Sequence, residues 1–424
     1  MYKKFLQLTK NLTVSLETGL NFLTTQENNP LYFHGALPLY TFWFLIFSGI
    51  LLWMYYIPTL DRAWTSVNYI TSLPVLFKDA NGQLLLKNGI PVVNAISPAT
   101  GIPYGAVVRG IHRWGAAAMM ITTILHMLRV YFTDRHRSWR WLPWVSGVLL
   151  LMFVLFVGIT GYLLVWDARA YSLVVSTQRW LEAVPLIGGG LSTFFIGGDA
   201  IRDFTLTRFF FFHIGGATFI FWLIWMHFIR LNEPVVTPSR AVNFLTLGFI
   251  LVAAGVYPAV NVTNDLIAQY PVLAVDKAFI ASDAPAQIGH LVEVIRYDAW
   301  YLFPYYLIEK AGVNWAWIIL GGATILLFVA PFYPKDRREN IAEVLEAKCT
   351  GCTFCALDCP FEAITMQERA PGSKFKLIAV VFAPRCSECG ICVGACPFQA
   401  IELPHTHSKT IEADVLALLK TGVQ

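Results

Sequence analysis

Residues Arg109–Phe132 read RGIHRWGAAAMMITTILHMLRVYF, and Thr205–Phe228 read TLTRFFFFHIGGATFIFWLIWMHF. Each exceeds the roughly 20 apolar residues that carry a helix across a bilayer. Each also holds two histidines 14 residues apart, His112 and His126 in the first and His213 and His227 in the second. On an α-helix a step of 14 returns to within about 40° of the same face and rises about 21 Å. Ionisable side chains inside a membrane are costly and mark function. A neutral imidazole bound to haem iron escapes that cost. Two such helices face to face offer two bis-imidazole sites, one above the other. Hydrogen-bonded core histidines would explain one such residue, but two matching pairs disfavour that explanation.

Glycine repeats the period on neighbouring segments. Gly35 and Gly49 are 14 residues apart, as are Gly147 and Gly161. Without a Cβ, a helix surface lets a flat macrocycle or another backbone approach closely. The pattern predicts a four-helix bundle, with histidines on two helices and glycines on the other two, around two haems.

Six apolar segments are long enough to span: Leu37–Ile57, Ala106–Tyr131, Leu142–Trp166, Leu206–Ile229, Phe244–Val262 and Val313–Phe332. The 424 residues are 56% hydrophobic and only 14% charged, against about 25% charged in soluble domains. The formal charge of +4, from 31 basic and 27 acidic residues, is too balanced for a nucleic-acid binder. The opening MYKKFLQLTKNLTVSLETGLNF lacks the compact apolar stretch and small-residue cleavage site of a signal peptide, and reads as an interfacial amphipathic helix. An even number of spans puts both termini on one side. Arg129, Arg135, Arg137 and Arg140 crowd the short loop between the second and third spans, so that side is expected to be cytoplasmic.

All eight cysteines lie between Cys349 and Cys396. CTGCTFCALDCP and CSECGICVGACP share the frame C-x2-C-x2-C-x3-C-P, 37 residues apart, which is the spacing for a pair of 4Fe–4S clusters. In that frame the distant cysteine crosses to the other cluster. Cys349, Cys352, Cys355 and Cys396 are thus expected to hold one cluster, and Cys386, Cys389, Cys392 and Cys359 the other. Two complete four-cysteine sets disfavour zinc. The expected architecture is an all-α membrane protein of six transmembrane helices with a four-helix dihaem bundle, plus a small α+β ferredoxin-like domain. Its divisions are residues 1–234, 235–335 and 336–424.

Arg109–Phe132 resembles helix B of cytochrome b from quinol–cytochrome c reductases, Thr205–Phe228 resembles helix D, and GYLLVWD (Gly161–Asp167) resembles the end of helix C. The likeness covers nearly all of residues 30–334, with the histidine spacing on helix D of the respiratory type. It implies that His112 and His213 hold the haem b near the outer face, that His126 and His227 hold the haem b near the cytoplasm, and that Arg109 neutralises a haem propionate. It further implies a quinol pocket on the outer face, where the family carries Pro-Glu-Trp-Tyr. Here the stretch is Asp298-Ala299-Trp300-Tyr301, so Asp298 becomes the candidate proton acceptor, Glu293 a weaker one, and Trp300 and Tyr301 the pocket residues. On the cytoplasmic side Asn232 stands where mitochondrial members have a histidine, with Arg230 and Glu233 nearby. After PFYPKDRREN the chain turns polar, where family members carry further spans.

The implied function is that of the cytochrome b subunit of a bc-type quinol-oxidising enzyme in a bacterial cytoplasmic membrane. The expected partners are a Rieske iron–sulfur protein, a c-type cytochrome subunit, quinol, a soluble cytoplasmic electron carrier and a second copy of the chain. The competing expectation is an electron-relay anchor that receives electrons at the clusters and has no bifurcating quinol site.

Overall fold

Long apolar stretches without interior proline favour uninterrupted helices, because only internal hydrogen bonds satisfy the backbone in lipid. The computed structural model describes residues 2–25, 28–72, 86–87, 90–91, 104–133, 136–137, 141–228, 238–256, 285–292, 295, 297–333, 341–359, 361–386 and 390–404. Glu293, Arg230, Asn232, Glu233 and Cys389 lie outside them, as do His405 and His407. The helices in chain order are α1 (Tyr2–Thr24), α2 (Leu37–Trp53), α3 (Ala63–Ser72), α4 (Tyr104–Phe132) and α5 (Trp141–Leu164). They continue with α6 (Ala168–Glu182), α7 (Gly188–Ile196), α8 (Asp203–Phe228), α9 (Arg240–Val256), α10 (Phe303–Ala311) and α11 (Val313–Val329). Among the described residues four helices are long and apolar enough to cross a membrane: Gly105–Phe132, Trp141–Leu164, Asp203–Phe228 and Val313–Phe332. The first and fifth of the six apolar segments overlap shorter apolar helices, Leu37–Trp53 and Arg240–Ala254. The 17 residues of α2 rise about 26 Å, a little less than the hydrocarbon thickness of about 30 Å.

Two compact units form. The first gathers Met1–Arg129, Leu149–Trp222 and Pro238–Ile325, and the second Val130–Val148, Leu223–Thr237 and Leu326–Gln424. The large apolar core of the first unit lies among the short helices between spans: Leu163, Trp166, Leu173, Val174, Phe195, Leu206, Phe209, Leu302 and Tyr305 pack together. Burying such a side chain fully is worth about 1.5–3 kcal/mol, so these loops are held as firmly as a soluble domain. The chain turns from α5 into α6 through Trp166, whose φ of +52° is unusual for a bulky residue. Asp167 then caps α6 by accepting the Ala170 N–H at 2.7 Å, and the Trp166 carbonyl accepts Ala286 N–H at 3.1 Å.

α1 exposes Phe5, Leu8, Leu12 and Leu16, one stripe at helical spacing, which suits a membrane surface. Its Glu17 is buried and paired with Arg129 at the end of α4. His34 is buried beside that pair. Burial first, then the Arg129 charge, push its imidazole down from 6.5 to about 4, against a raising influence of Glu17. Once exposed, the ring takes a proton below about 6.5, so the buried arrangement loses stability as pH falls from there toward 4. Proteolysis of α1 should therefore accelerate across that window, and much less so in a His34→Gln variant.

In the second unit the cysteine-rich segment builds two antiparallel ribbons. Numbering follows the short ribbon of β1 (Leu86–Lys87) and β2 (Ile90–Pro91) in the first unit: β3 (Glu343–Val344) pairs with β6 (Ile401–Glu402), and β4 (Ile364–Glu368) pairs with β5 (Leu377–Val381). Val344 faces Ile401 and Val381 faces Ile364. Both pairs relate by the same 37-residue shift, so each half of the repeat lends a strand edge to the other. One-turn helices α12 (Phe354–Leu357) and α13 (Ile391–Gly394) start from Thr353 and Gly390, with φ of +74° and +80°.

Candidate functional site

The four sequence-matched glycines each meet a histidine. A Cβ on Gly49 would stand 3.2 Å from His112 Cε1, and one on Gly161 only 2.9 Å from His213 Cε1. On Gly35 it would stand 3.1 Å from His126 Cε1, all within the first unit, and on Gly147 3.2 Å from His227 Cε1 in the second. Any larger residue would displace the ring.

His112 and His213 approach with ring centres 6.1 Å apart. A metal–imidazole bond of about 2 Å plus about 1 Å from nitrogen to ring centre, taken twice, gives roughly 6 Å. The spacing therefore suits one metal between the two rings. Hydrogen bonds decide which nitrogen is available. His213 Nδ1 donates to the Val157 carbonyl at 2.9 Å and lies 3.4 Å from Thr160 Oγ1. His112 Nδ1 pairs with Ser48 Oγ at 3.0 Å, and His227 Nδ1 with Ser146 Oγ at 2.9 Å. With Nδ1 engaged, Nε2 is left as the ligating lone pair, the usual arrangement of metal-bound imidazoles. The residues present thus fit a haem.

Sequence reasoning missed those hydroxyls, although a signal was there. Ser48, Ser146 and Thr160 each directly precede a period-matched glycine, and helical geometry turns such a neighbour toward the same ring. Gly35 departs from the rule, being preceded by His34. Arg109 has Asp167, Arg169 and Arg113 as its charged neighbours.

On the first unit's loop side, Asp298, Trp300 and Tyr301 are brought together. Asp298 Oδ1 accepts N–H bonds from Trp300 at 2.9 Å, Tyr301 at 2.7 Å and Leu302 at 3.4 Å. Its Oδ2 accepts the Tyr162 hydroxyl and lies 3.4 Å from Arg113 Nη2. Tyr301 donates its hydroxyl to the Ala116 carbonyl on α4 at 2.7 Å. Its ring lies so close to Gly158 on α5 that a Cβ there would overlap it. Tyr301 thus clamps the loop between two spans, and Asp298 nucleates the turn that presents it.

In the second unit, Cys349, Cys352, Cys355 and Cys396 line one small pocket with Met366, Phe398 and Ile401. Burial first, then the Cys396, Cys352 and Cys349 thiols, push the Cys355 thiol up to about 11. Four thiolates this close repel one another unless a cationic centre joins them. Four cysteines of the repeated C-x2-C-x2-C-x3-C frame around one pocket are the donor set that a 4Fe–4S cluster takes. The cysteines ending the two motifs behave alike: Ala363 N–H donates to Cys359 Sγ and Ala400 N–H to Cys396 Sγ, both at 3.3 Å. Cys386 and Cys392, with Cys359, are described members of the second set.

Comparison with known proteins agrees with both regions. A family described as "Cytochrome b(N-terminal)/b6/petB" matches residues 117–277, and one described as "4Fe-4S dicluster domain" matches residues 348–400. The menaquinol:cytochrome c reductase cytochrome b subunit of Bacillus subtilis is 32% identical over 204 residues, 48% of this chain and 79% of that protein. Cytochrome b6 of Gracilaria tenuistipitata is 32% identical over 208 residues, 48% of this chain and 83% of that protein. A solved "Hyperthermophilic respiratory Complex III" chain shares the fold at a TM-score of 0.50 and 20% identity, over 71% of this chain and 75% of that one. Membership of a haem b family and a dicluster domain matches the imidazole and thiol sets just described. This membrane protein therefore belongs to the cytochrome b family of quinol:cytochrome c reductases and b6-type complexes, and it carries a 4Fe–4S dicluster domain in its C-terminal region.

Proposed function

We propose that the chain is the dihaem subunit of a bc-type quinol-oxidising oxidoreductase, with six spans and a cytoplasmic dicluster domain in a bacterial cytoplasmic membrane. His112 and His213 would hold the outer haem b, His126 and His227 the inner one, with Gly35, Gly49, Gly147 and Gly161 keeping room for the macrocycles. Arg109 would neutralise a propionate. Asp298, Trp300 and Tyr301 would wall the outer quinol pocket, the clamped Tyr301 holding that wall against α4 and α5. Cys349, Cys352, Cys355 and Cys396 would hold one cluster, and Cys386, Cys389, Cys392 and Cys359 the other. When bound, the haems and clusters supply one-electron transfer between quinol, a Rieske partner with its c-type cytochrome, and a soluble cytoplasmic carrier. The protein contributes placement and a dry, shaped surrounding. A homodimer within a larger complex follows by likeness to the family.

The observation that carries this reading is the engagement of Nδ1 on His112, His213 and His227, which leaves each Nε2 to a metal. A redox titration of the purified complex tests it. Two low-spin b-type centres should titrate separately and be reduced by added quinol. A single centre, or none, sinks the dihaem assignment. A second reading, the relay anchor fed at the clusters, draws support from the occupied oxygens of Asp298. In that case a low-potential donor reduces the haems in the same sample and quinol does not.

A further inference from the structure

We infer that Asp298 is a positioning residue that balances the charge of Arg113 beside the outer haem site, and that it does not take the proton of quinol. The inference rests on the proposed assignment of His112 and His213 to that haem. An ionised carboxylate offers about four lone-pair sites. Asp298 meets five donors: three backbone N–H groups on Oδ1, then the Tyr162 hydroxyl and the Arg113 guanidinium on Oδ2. Its side chain has 0% of its surface exposed. No acceptor site remains for a substrate proton, and removing any donor would leave another buried group without its partner.

The two Oδ2 partners tie it to the haem site. Arg113 directly follows His112 on α4. Tyr162 directly follows Gly161 on α5, the glycine that abuts His213. The Arg113 guanidinium carbon lies 4.7 Å from the Tyr162 ring centre, and that of Arg169 lies 5.3 Å from it. Two cations thus flank one ring, with Arg109 a charged neighbour of both. Arg109, Arg113 and Arg169 against Asp167 and Asp298 leave an excess of one positive charge. Charges interact strongly where water is scarce. Loss of the Asp298 charge adds to the positive field at the outer haem and favours its reduced form, and loss of the Arg113 charge does the reverse.

The test is a spectroelectrochemical titration of the intact complex carrying Asp298→Asn, Arg113→Gln, both together, or Arg113→Lys. Asparagine keeps the carbonyl that the backbone N–H groups need. The outer haem's midpoint should rise in Asp298→Asn, fall in Arg113→Gln, return near the parent value in the double variant, and hold in Arg113→Lys. The inner haem should not move, and the pH profile of quinol oxidation should keep its shape in Asp298→Asn. A purely structural role would move both single variants in the same direction, which overturns the inference. So does an unmoved potential combined with a displaced pH profile, the signature of a lost proton acceptor. An unaltered complex without an outer b-type signal overturns the haem assignment as well, whereas a normal signal that neither single variant moves overturns this inference alone.

Discussion

A His213→Ala variant is expected to keep one b-type haem per chain and lose the other, with quinol-driven reduction of the remaining haem down by roughly 100-fold or more. Changes to residues that only orient a ligand already cost about 10–100-fold, and this change removes the ligand itself. Three features of the structure concentrate the loss at one site. His213 is the ring opposite His112, it seats against Gly161, and its Nδ1 satisfies the buried Val157 carbonyl. The Val157 carbonyl keeps the Thr160 hydroxyl at 2.8 Å, so losing the imidazole donor costs only the net ~0.5–1.5 kcal/mol of one hydrogen bond, and a small loss of thermal stability should accompany the spectral change. Haem extraction with visible spectroscopy measures the stoichiometry directly. Retention of both haems at full intensity would falsify the assignment of His213, and loss of both would show that the two sites do not assemble independently.

Serine at Cys396 should eliminate the cluster of the first motif, not that of the second motif to which Cys396 belongs in sequence. The strand exchange is the reason. β6 lies on β3, with Val344 opposite Ile401, and Leu345 N–H reaches the Ala400 carbonyl at 2.8 Å. That pairing delivers Cys396 into the cavity lined by Cys349, Cys352 and Cys355. Its counterpart in the other half is the 2.6 Å bond from Phe382 N–H to the Ala363 carbonyl. Iron content should fall from about eight to about four atoms per chain. The paramagnetic signal lost should match the one lost in Cys352→Ser and differ from the one lost in Cys359→Ser. If Cys396→Ser and Cys359→Ser removed the same signal, the crossed assignment would be wrong. Because a cubane joins strands that are otherwise two residues long at β3 and β6, the variant should also raise protease sensitivity around Cys349.

Much of this was legible in the chain. Period-14 histidines and glycines specify which faces of which helices must meet, since a helix repeats its facing by fixed rotation. The repeated cysteine frame points to the 4Fe–4S dicluster domain for a similar reason, because short spacings in one chain set which thiols can reach one corner. Asp298 shows where such reading stops. From its position beside Trp300-Tyr301 it reads as a proton acceptor, and the bonds that its oxygens make to the following turn and to two side chains from spans far away in sequence are invisible in that reading. The hydroxyls of Ser48, Ser146 and Thr160 stayed hidden because serine and threonine inside apolar helices commonly bond their own i−4 carbonyl.

The amino-acid order by itself determined the family and the presence of a 4Fe–4S dicluster domain, because those depend on periodicity and on residue chemistry that no folding can alter. Tertiary structure alone decided the Nδ1 partners of His112, His213 and His227, the clamp of Tyr301 against Gly158, and the partnership of Asp298 with Arg113 and Tyr162. Those depend on which atoms from distant segments come within bonding distance, and direct contact across helices leaves no period in the sequence to read.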